Sequence, residues 1–173
     1  GAVGYVERCN PALLEMRKRL AEGQLGDVYQ VVTRRQSPFP ARISDVGVVK
    51  DLATHDVDLA AWVAGSEYKE IYAQTAHRSG REHEDMVVAS GSFKNGVLVN
   101  HLVNWLTPFK DRTTIVTGEH GALVADTAMG DLTFYENGDM PLQWDQIAAF
   151  RGVSEGTVTR YALAKREPLA VEH

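Results

Sequence analysis

The sequence predicts an α+β fold, an open and mostly antiparallel or mixed β-sheet with helices packed on one face. Three observations predict it. Two segments with helical apolar spacing lie in the first 65 residues, about eight short β-like runs follow, and turn-forming residues separate most of those runs. Gly1 to Arg8 reads as a short strand. Asn10-Pro11 then opens a helix, with Asn10 as N-cap and Pro11 at the first helical position. Leu13, Met16 and Leu20 recur at helical spacing, and Gly23 and Gly26 end the run. Val28, Val31, Val32 and Thr33 give Asp27 to Arg35 strand character, and Ser37-Pro38-Phe39-Pro40 must be loop because two prolines remove backbone donors. A second helix is expected from about Val48 to Ala64, closed by Gly65. The β-like runs are Ile71 to Ala76, Asp85 to Phe93, Val97 to Leu106, Asp111 to Thr117, Gly121 to Asp126, Leu132 to Tyr135, Ala148 to Val153 and Val158 to Leu163. Lys94-Asn95-Gly96, Gly118-Glu119-His120-Gly121 and Glu136-Asn137-Gly138-Asp139 supply turns.

The chain has 173 residues, one domain's worth, and its 44% hydrophobic and 24% charged composition is globular. With 18 Lys plus Arg against 23 Asp plus Glu the formal charge is −5, so no basic field favours nucleic acid or an anionic membrane, and neither is expected as a partner. The longest apolar runs fall far short of the roughly 20 residues of a membrane helix. No secretory signal is visible and Cys9 has no second cysteine to pair with, so a cytoplasmic location is expected. Neither G-x-G-x-x-G after a strand nor G-x-x-x-x-G-K-[ST] occurs, so the chain brings no nucleotide-cradling unit of its own.

The segment richest in chemistry is Asp45-Val46-Gly47-Val48-Val49-Lys50-Asp51-Leu52-Ala53-Thr54-His55-Asp56-Val57-Asp58. On a helix Asp51 and His55, four apart, share a face, and a carboxylate beside an imidazole is what a general acid/base for a carbinol proton needs. The same spacing also describes an exposed helix pair with no chemical role. Leu52, Leu59, Trp62 and Val63 provide an apolar face, and Gly47 lets a ligand or another backbone approach closely. Asp51, His55 and Asp56 could in principle hold a divalent ion in a metal-dependent hydrolase. Adjacent His55 and Asp56 diverge by about 100° on a helix, however, and no H-x-x-x-H pair is present, so no metal site is assigned. His101, Asn104 and Trp105 are pocket candidates on a strand whose alternation allows only one face, with Trp105 better suited to core or interface. His77, His83 and His120 lie near turns and are expected to be solvated, while Tyr5, Cys9 and Asn10 have adequate structural explanations.

Gly4-Tyr5-Val6-Glu7-Arg8-Cys9-Asn10-Pro11 resembles the G-[HY]-x-x-R-[FY]-[ND]-P motif that opens the C-terminal domain of the Gfo/Idh/MocA oxidoreductases. Gly23-Gln24-Leu25-Gly26-Asp27-Val28 resembles that family's G-x-[IL]-G-x-[IV], and Asp45 to Asp58 resembles the helix bearing its D-x-x-x-H signature. The ordered set covers essentially the whole chain. The resemblance implies a glyceraldehyde-3-phosphate-dehydrogenase-like C-terminal domain over residues 1–173, used for substrate binding and oligomerisation, whose N-terminal Rossmann domain is absent from this chain. It further implies an oxidoreductase using NAD or NADP, bound mainly by that missing domain, and acting on a CH-OH group of a sugar. Asp51 and His55 would be the catalytic acid/base partners, and the chain by itself would be inactive.

Lys50-Asp51-Leu52-Ala53-Thr54-His55-Asp56-Val57-Asp58 is similar to the branch acting on nucleotide-activated amino sugars, including UDP-N-acetylglucosamine 3-dehydrogenases. By that resemblance Lys50 and Arg42 are substrate-binding candidates, with a salt bridge within the helix as the other explanation of Lys50. Arg34 and Arg35 alternate on a strand, so at most one faces a site. A non-catalytic sugar-binding or dimerising module is the alternative, with Val97, Val99 and Val103 expected to form an apolar open sheet face. A homodimer or homotetramer through that face is expected.

Overall fold

The computed structural model describes residues 10–40, 46–138 and 155–163. The expected strands at Gly1 to Arg8 and Ala148 to Val153, together with Arg42, Tyr5 and Cys9, lie outside the described residues. Helix α1 (Pro11–Ala21) begins as the sequence dictates, the Asn10 side chain accepting from the Ala12 amide at 2.9 Å. Strand β1 (Val28–Pro38) follows and runs through Ser37 and Pro38, which the sequence assigns to loop; the proline is accommodated at the strand's last residue, beyond a register shift after Gln36. A single π-helical turn (Val49–Ala53) runs directly into α2 (Thr54–Ala64), which Gly65 closes in the left-handed region at φ 64°. The remaining chain forms β2 (Tyr68–Ala76), β3 (Met86–Phe93), β4 (Leu98–Asn104), β5 (Leu106–Gly118), β6 (Gly121–Asp126), β7 (Asp131–Asn137) and β8 (Glu155–Tyr161).

These strands make one sheet in the order β2-β3-β4-β1-β5-β6-β7-β8. Among the described residues only β1 and β4 run parallel; every other neighbouring pair is antiparallel, so the sheet is the mixed, mostly antiparallel one the sequence predicts. Strand β5 starts five residues before the expected Asp111 because Asn104 Oδ1 accepts from both the Leu106 amide (2.9 Å) and the Thr107 hydroxyl (2.8 Å). That turn reverses the chain at once and lets Leu106 pair with Pro38.

Both helices cover the same face of the sheet, α1 over β6 and β7 and α2 over β1 and β4. Leu13 and Met16 of α1, Leu59 and Val63 of α2, and Val31, Val99, Val116 and Leu123 of the sheet form the main core. A second cluster of Val48, Ala53, Val87, Val103 and Trp105 lies under the start of the site helix, with Phe39 edge-on to Trp105 at 5.3 Å.

The structure corrects one expectation about faces. Val97, Val99 and Val103 point toward the helices and are buried, so they form no open apolar surface. The uncovered face carries the alternate residues, among them Tyr72, Val88 and Leu98, which are 69%, 47% and 56% exposed. Among the described residues no helix is long and apolar enough to cross a membrane.

Candidate active site

Helix α2 is set over β1 and β4 by directional contacts as well as by apolar burial. Arg35 on β1 points inward, and its Nε and Nη2 donate to Asp56 Oδ1 at 3.1 and 3.0 Å. Both residues are buried, so this is an ion pair removed from water, where each charge depends on its partner. Asp56 therefore faces the sheet, away from its neighbour His55. The set Asp51, His55 and Asp56 does not converge, and among the described residues no group of three acidic, histidine or cysteine side chains is placed to hold an ion.

At the next residue, the Tyr68 hydroxyl donates to the Val57 carbonyl at 2.7 Å and lies 3.1 Å from His101 Nε2. The Thr33 hydroxyl lies 2.5 Å from His101 Nδ1. The proton positions follow by elimination. A carbonyl only accepts, so Tyr68 spends its proton on Val57 and its oxygen must accept from His101 Nε2–H. Nδ1 then accepts from the Thr33 hydroxyl, and the ring is neutral. Burial accordingly drives the His101 pKa down to about 4. Burial also raises the Tyr68 phenol, with the negative charges of Asp56 and Asp58 adding to it. His101, a pocket candidate by sequence, is thus a fully buried structural group, and Trp105 is core.

The third contact holds the start of the helix. Its first turn receives no side-chain cap from Val48, the residue before the π turn. The Val48 amide instead donates to the Glu84 carbonyl (3.0 Å) and the Val49 amide to Glu84 Oε1 (3.2 Å). The close approach at Gly47 is made by this side-chain carboxylate, where the sequence suggests a ligand or another backbone: a Cβ on Gly47 would overlap both Glu84 oxygens. Glu84 was not legible as a partner because it lies 35 residues beyond Val49. The adjacent Asp85 is hydrogen-bonded within the same loop. Burial raises its carboxyl, but donation from the Ser79 hydroxyl and the Ser79 and Arg78 amides outweighs this and holds it below the usual carboxylate range.

What remains on the outer side is the predicted group. Asp51 and His55 are half-buried and Lys50 is exposed, all within the π turn and the first turn of α2. Among the described residues no hydrogen bond or ion pair engages the side chain of any of the three, so the alternative of a salt bridge within the helix for Lys50 is not formed, nor is a direct Asp51–His55 hydrogen bond. Asp56 and Asp58, by contrast, are engaged. Asp51 lies in the π turn and His55, four residues on, in the first turn of α2. Of the two adjacent arginines, Arg35 is in the ion pair and Arg34 is on the open face, 3.2 Å from Asp111. His77 and His120 are exposed and His83 half-buried.

A sequence model described as the GFO/IDH/MocA C-terminal domain matches residues 13–124. The chain belongs to this family. UDP-N-acetylglucosamine 3-dehydrogenase of Acidithiobacillus ferrooxidans is 25% identical over 171 residues, which is 99% of this chain and 50% of that protein. Inositol 2-dehydrogenase 2 of Saccharopolyspora erythraea is 30% identical over 102 residues, 57% of this chain and 30% of that protein. The chain thus spans half or less of the length of these relatives. Among solved structures, the same A. ferrooxidans enzyme, GnnA, superposes with a TM-score of 0.77 at 23% identity over 97% of this chain and 50% of its own, a likeness of fold. The WlbA dehydrogenase of Bordetella pertussis, solved with NADH and UDP-GlcNAcA, superposes with a TM-score of 0.61 at 26% identity over 68% of this chain and 40% of its own. These relatives are dehydrogenases, and the chain is of an oxidoreductase family.

Proposed function

We propose that this chain is the substrate-binding and acid/base half of an NAD(P)-dependent dehydrogenase acting on a CH-OH group of a sugar or nucleotide sugar. The observation that carries the reading is the division of labour on one helix. Asp56 and the Val57 carbonyl anchor it to the sheet, whereas the side chains of Lys50, Asp51 and His55 have no partner among the described residues. Protein-bound polar groups held in place yet unengaged are what a polyhydroxyl ligand requires. His55 accepts the proton of the reacting hydroxyl, Asp51 orients the imidazole or takes a neighbouring hydroxyl, and Lys50 meets a phosphate or sugar oxygen.

The residues here do not fit a dinucleotide site of their own. The sequence has no G-x-G-x-x-G after a strand, and among the described residues the sheet has a single parallel pair. A separate Rossmann domain joined to this chain would hold the nicotinamide, which when bound accepts hydride from the carbinol carbon. The WlbA structure, which holds both NADH and a nucleotide sugar, supports this choice of cofactor and substrate class. Self-association through the uncovered sheet face, where Tyr72, Val88 and Leu98 are exposed, fits the same reading and is checked by sedimentation velocity.

The test is single-turnover hydride transfer from UDP-N-acetylglucosamine to NAD in the protein that joins this chain to its dinucleotide-binding domain. His55→Ala and Asp51→Asn should each lose at least about 100-fold in rate with NAD affinity retained. Wild-type rates in both variants, at matched folding stability, would remove the acid/base role from this helix.

A further inference from the structure

We propose that Glu84 is a positioning residue for the site, a cap supplied from the β2–β3 loop that sets where Lys50, Asp51 and His55 stand; this rests on the function proposed above. A helix begins with amide groups that have no intrahelical acceptor, and they are normally satisfied by a side chain just upstream. Here the sequence offers glycine and valine at Gly47 and Val48, neither of which has a side chain that can accept a hydrogen bond. The acceptors come instead from Glu84, whose carbonyl takes the Val48 amide at 3.0 Å and whose carboxylate takes the Val49 amide at 3.2 Å. Two consecutive amides held by one residue fix both the height and the rotation of the turn that follows. A carboxylate at a helix N-terminus is also favoured by the helix dipole.

Two further observations separate this contact from an incidental one. Gly47 is buried with the Glu84 carboxylate in the space a Cβ would need, so the backbone there is shaped for this guest. Glu84 is itself held from behind: the Asp85 amide donates to the Ala76 carbonyl (3.1 Å), the Trp105 amide donates to the Asp85 carbonyl (2.9 Å), and the Asp85 carboxylate takes the Arg78 and Ser79 amides (2.8 to 3.1 Å). The chain of contacts runs from the ends of β2 and β4 through Asp85 and Glu84 to Val49, next to Lys50 and two residues before Asp51. A widened π turn has a different residue spacing from an α turn, and such bulges recur at functional sites. The Glu84 anchor lies at its first residue.

Glu84→Ala, Glu84→Gln and Gly47→Ala would be compared in the UDP-N-acetylglucosamine assay with NAD, alongside His55→Ala, and by amide hydrogen exchange of residues 48–53. Glu84→Ala and Gly47→Ala should each lower kcat about 10- to 100-fold, with NAD affinity retained and Val49 exchange accelerated. Glu84→Gln should restore both toward wild type, because its amide oxygen still accepts from Val49. A variant that merely loosened the fold would lower the melting temperature and leave kcat unchanged well below it. Wild-type kcat and Val49 exchange in Glu84→Ala, beside an inactive His55→Ala, would overturn the positioning role and leave the acid/base reading intact. An active His55→Ala would overturn both. Failure of Glu84→Gln to recover would overturn the hydrogen-bond basis.

Discussion

The neutral, buried His101 makes the stability of this domain depend on pH in a window set by one residue. In the unfolded chain its imidazole takes up a proton below its ordinary 6.5, whereas the folded state keeps it neutral down to about 4. Between these values the unfolded state binds more protons, so stability falls as pH drops. The contribution is intact above 6.5, is lost progressively on acidification and falls no further below about 4. The whole interval corresponds to about 3 kcal/mol, of which about 2 kcal/mol is spent between about pH 7 and about pH 4.5. Glutamine is the control, since it offers Thr33 an acceptor and Tyr68 a donor without titrating. Urea unfolding of wild type and His101→Gln at the two pH values should show wild type losing about 2 kcal/mol more than the variant. Equal losses would refute the assignment of a neutral ring bridging Thr33 and Tyr68.

Two further stability changes follow from the contacts of the helices. Asp56→Ala leaves Arg35 charged and buried without its main partner, and should cost about 3 to 5 kcal/mol, a fall of roughly 6 to 20 °C in melting temperature. Replacing both residues together with apolar side chains of similar volume should cost less than either single change, as a double-mutant cycle by calorimetry would reveal. Asn10→Ala removes the acceptor for the Ala12 amide and should cost about 1 kcal/mol in urea titration, with Asn10→Ser recovering most of it.

The fold was legible where local chemistry is decisive. Asn10-Pro11, the Gly65 cap and the Asn95-Gly96 turn each act within a few residues, and each appears where the sequence puts it. Strand alternation correctly placed His101, Val103 and Trp105 on one face, but alternation alone does not say which face the helices cover. Valines at alternate positions fit an apolar interface as well as a core, and the helices take them. The candidate site was legible as the helix carrying Asp51 and His55. Its supports were not, because Arg35 to Asp56, His101 to Tyr68 and Glu84 to Val49 join residues 21, 33 and 35 apart in sequence, pairings that only the assembled sheet selects.

Those supports share a physical purpose that apolar burial could not serve. The hydrophobic contacts of Leu59, Ala60 and Val63 hold α2 on the sheet, but such attraction is non-directional and tolerates small slides and rotations of a short helix. Hydrogen bonds do not, since they weaken steeply with misalignment. Glu84 fixes the helix at Val49, Arg35 fixes it at Asp56, and Tyr68 fixes it at Val57. Asp51 and His55 lie between the first anchor and the other two. A displacement that moved either side chain along or around the axis would stretch at least one anchor and leave a buried charge or a polar group unpaired, a cost of about 1 to 5 kcal/mol. The inner face of the sheet therefore carries an arginine, a threonine and a histidine where valine would pack more simply. They trade some apolar burial for a helix whose outer groups keep one position.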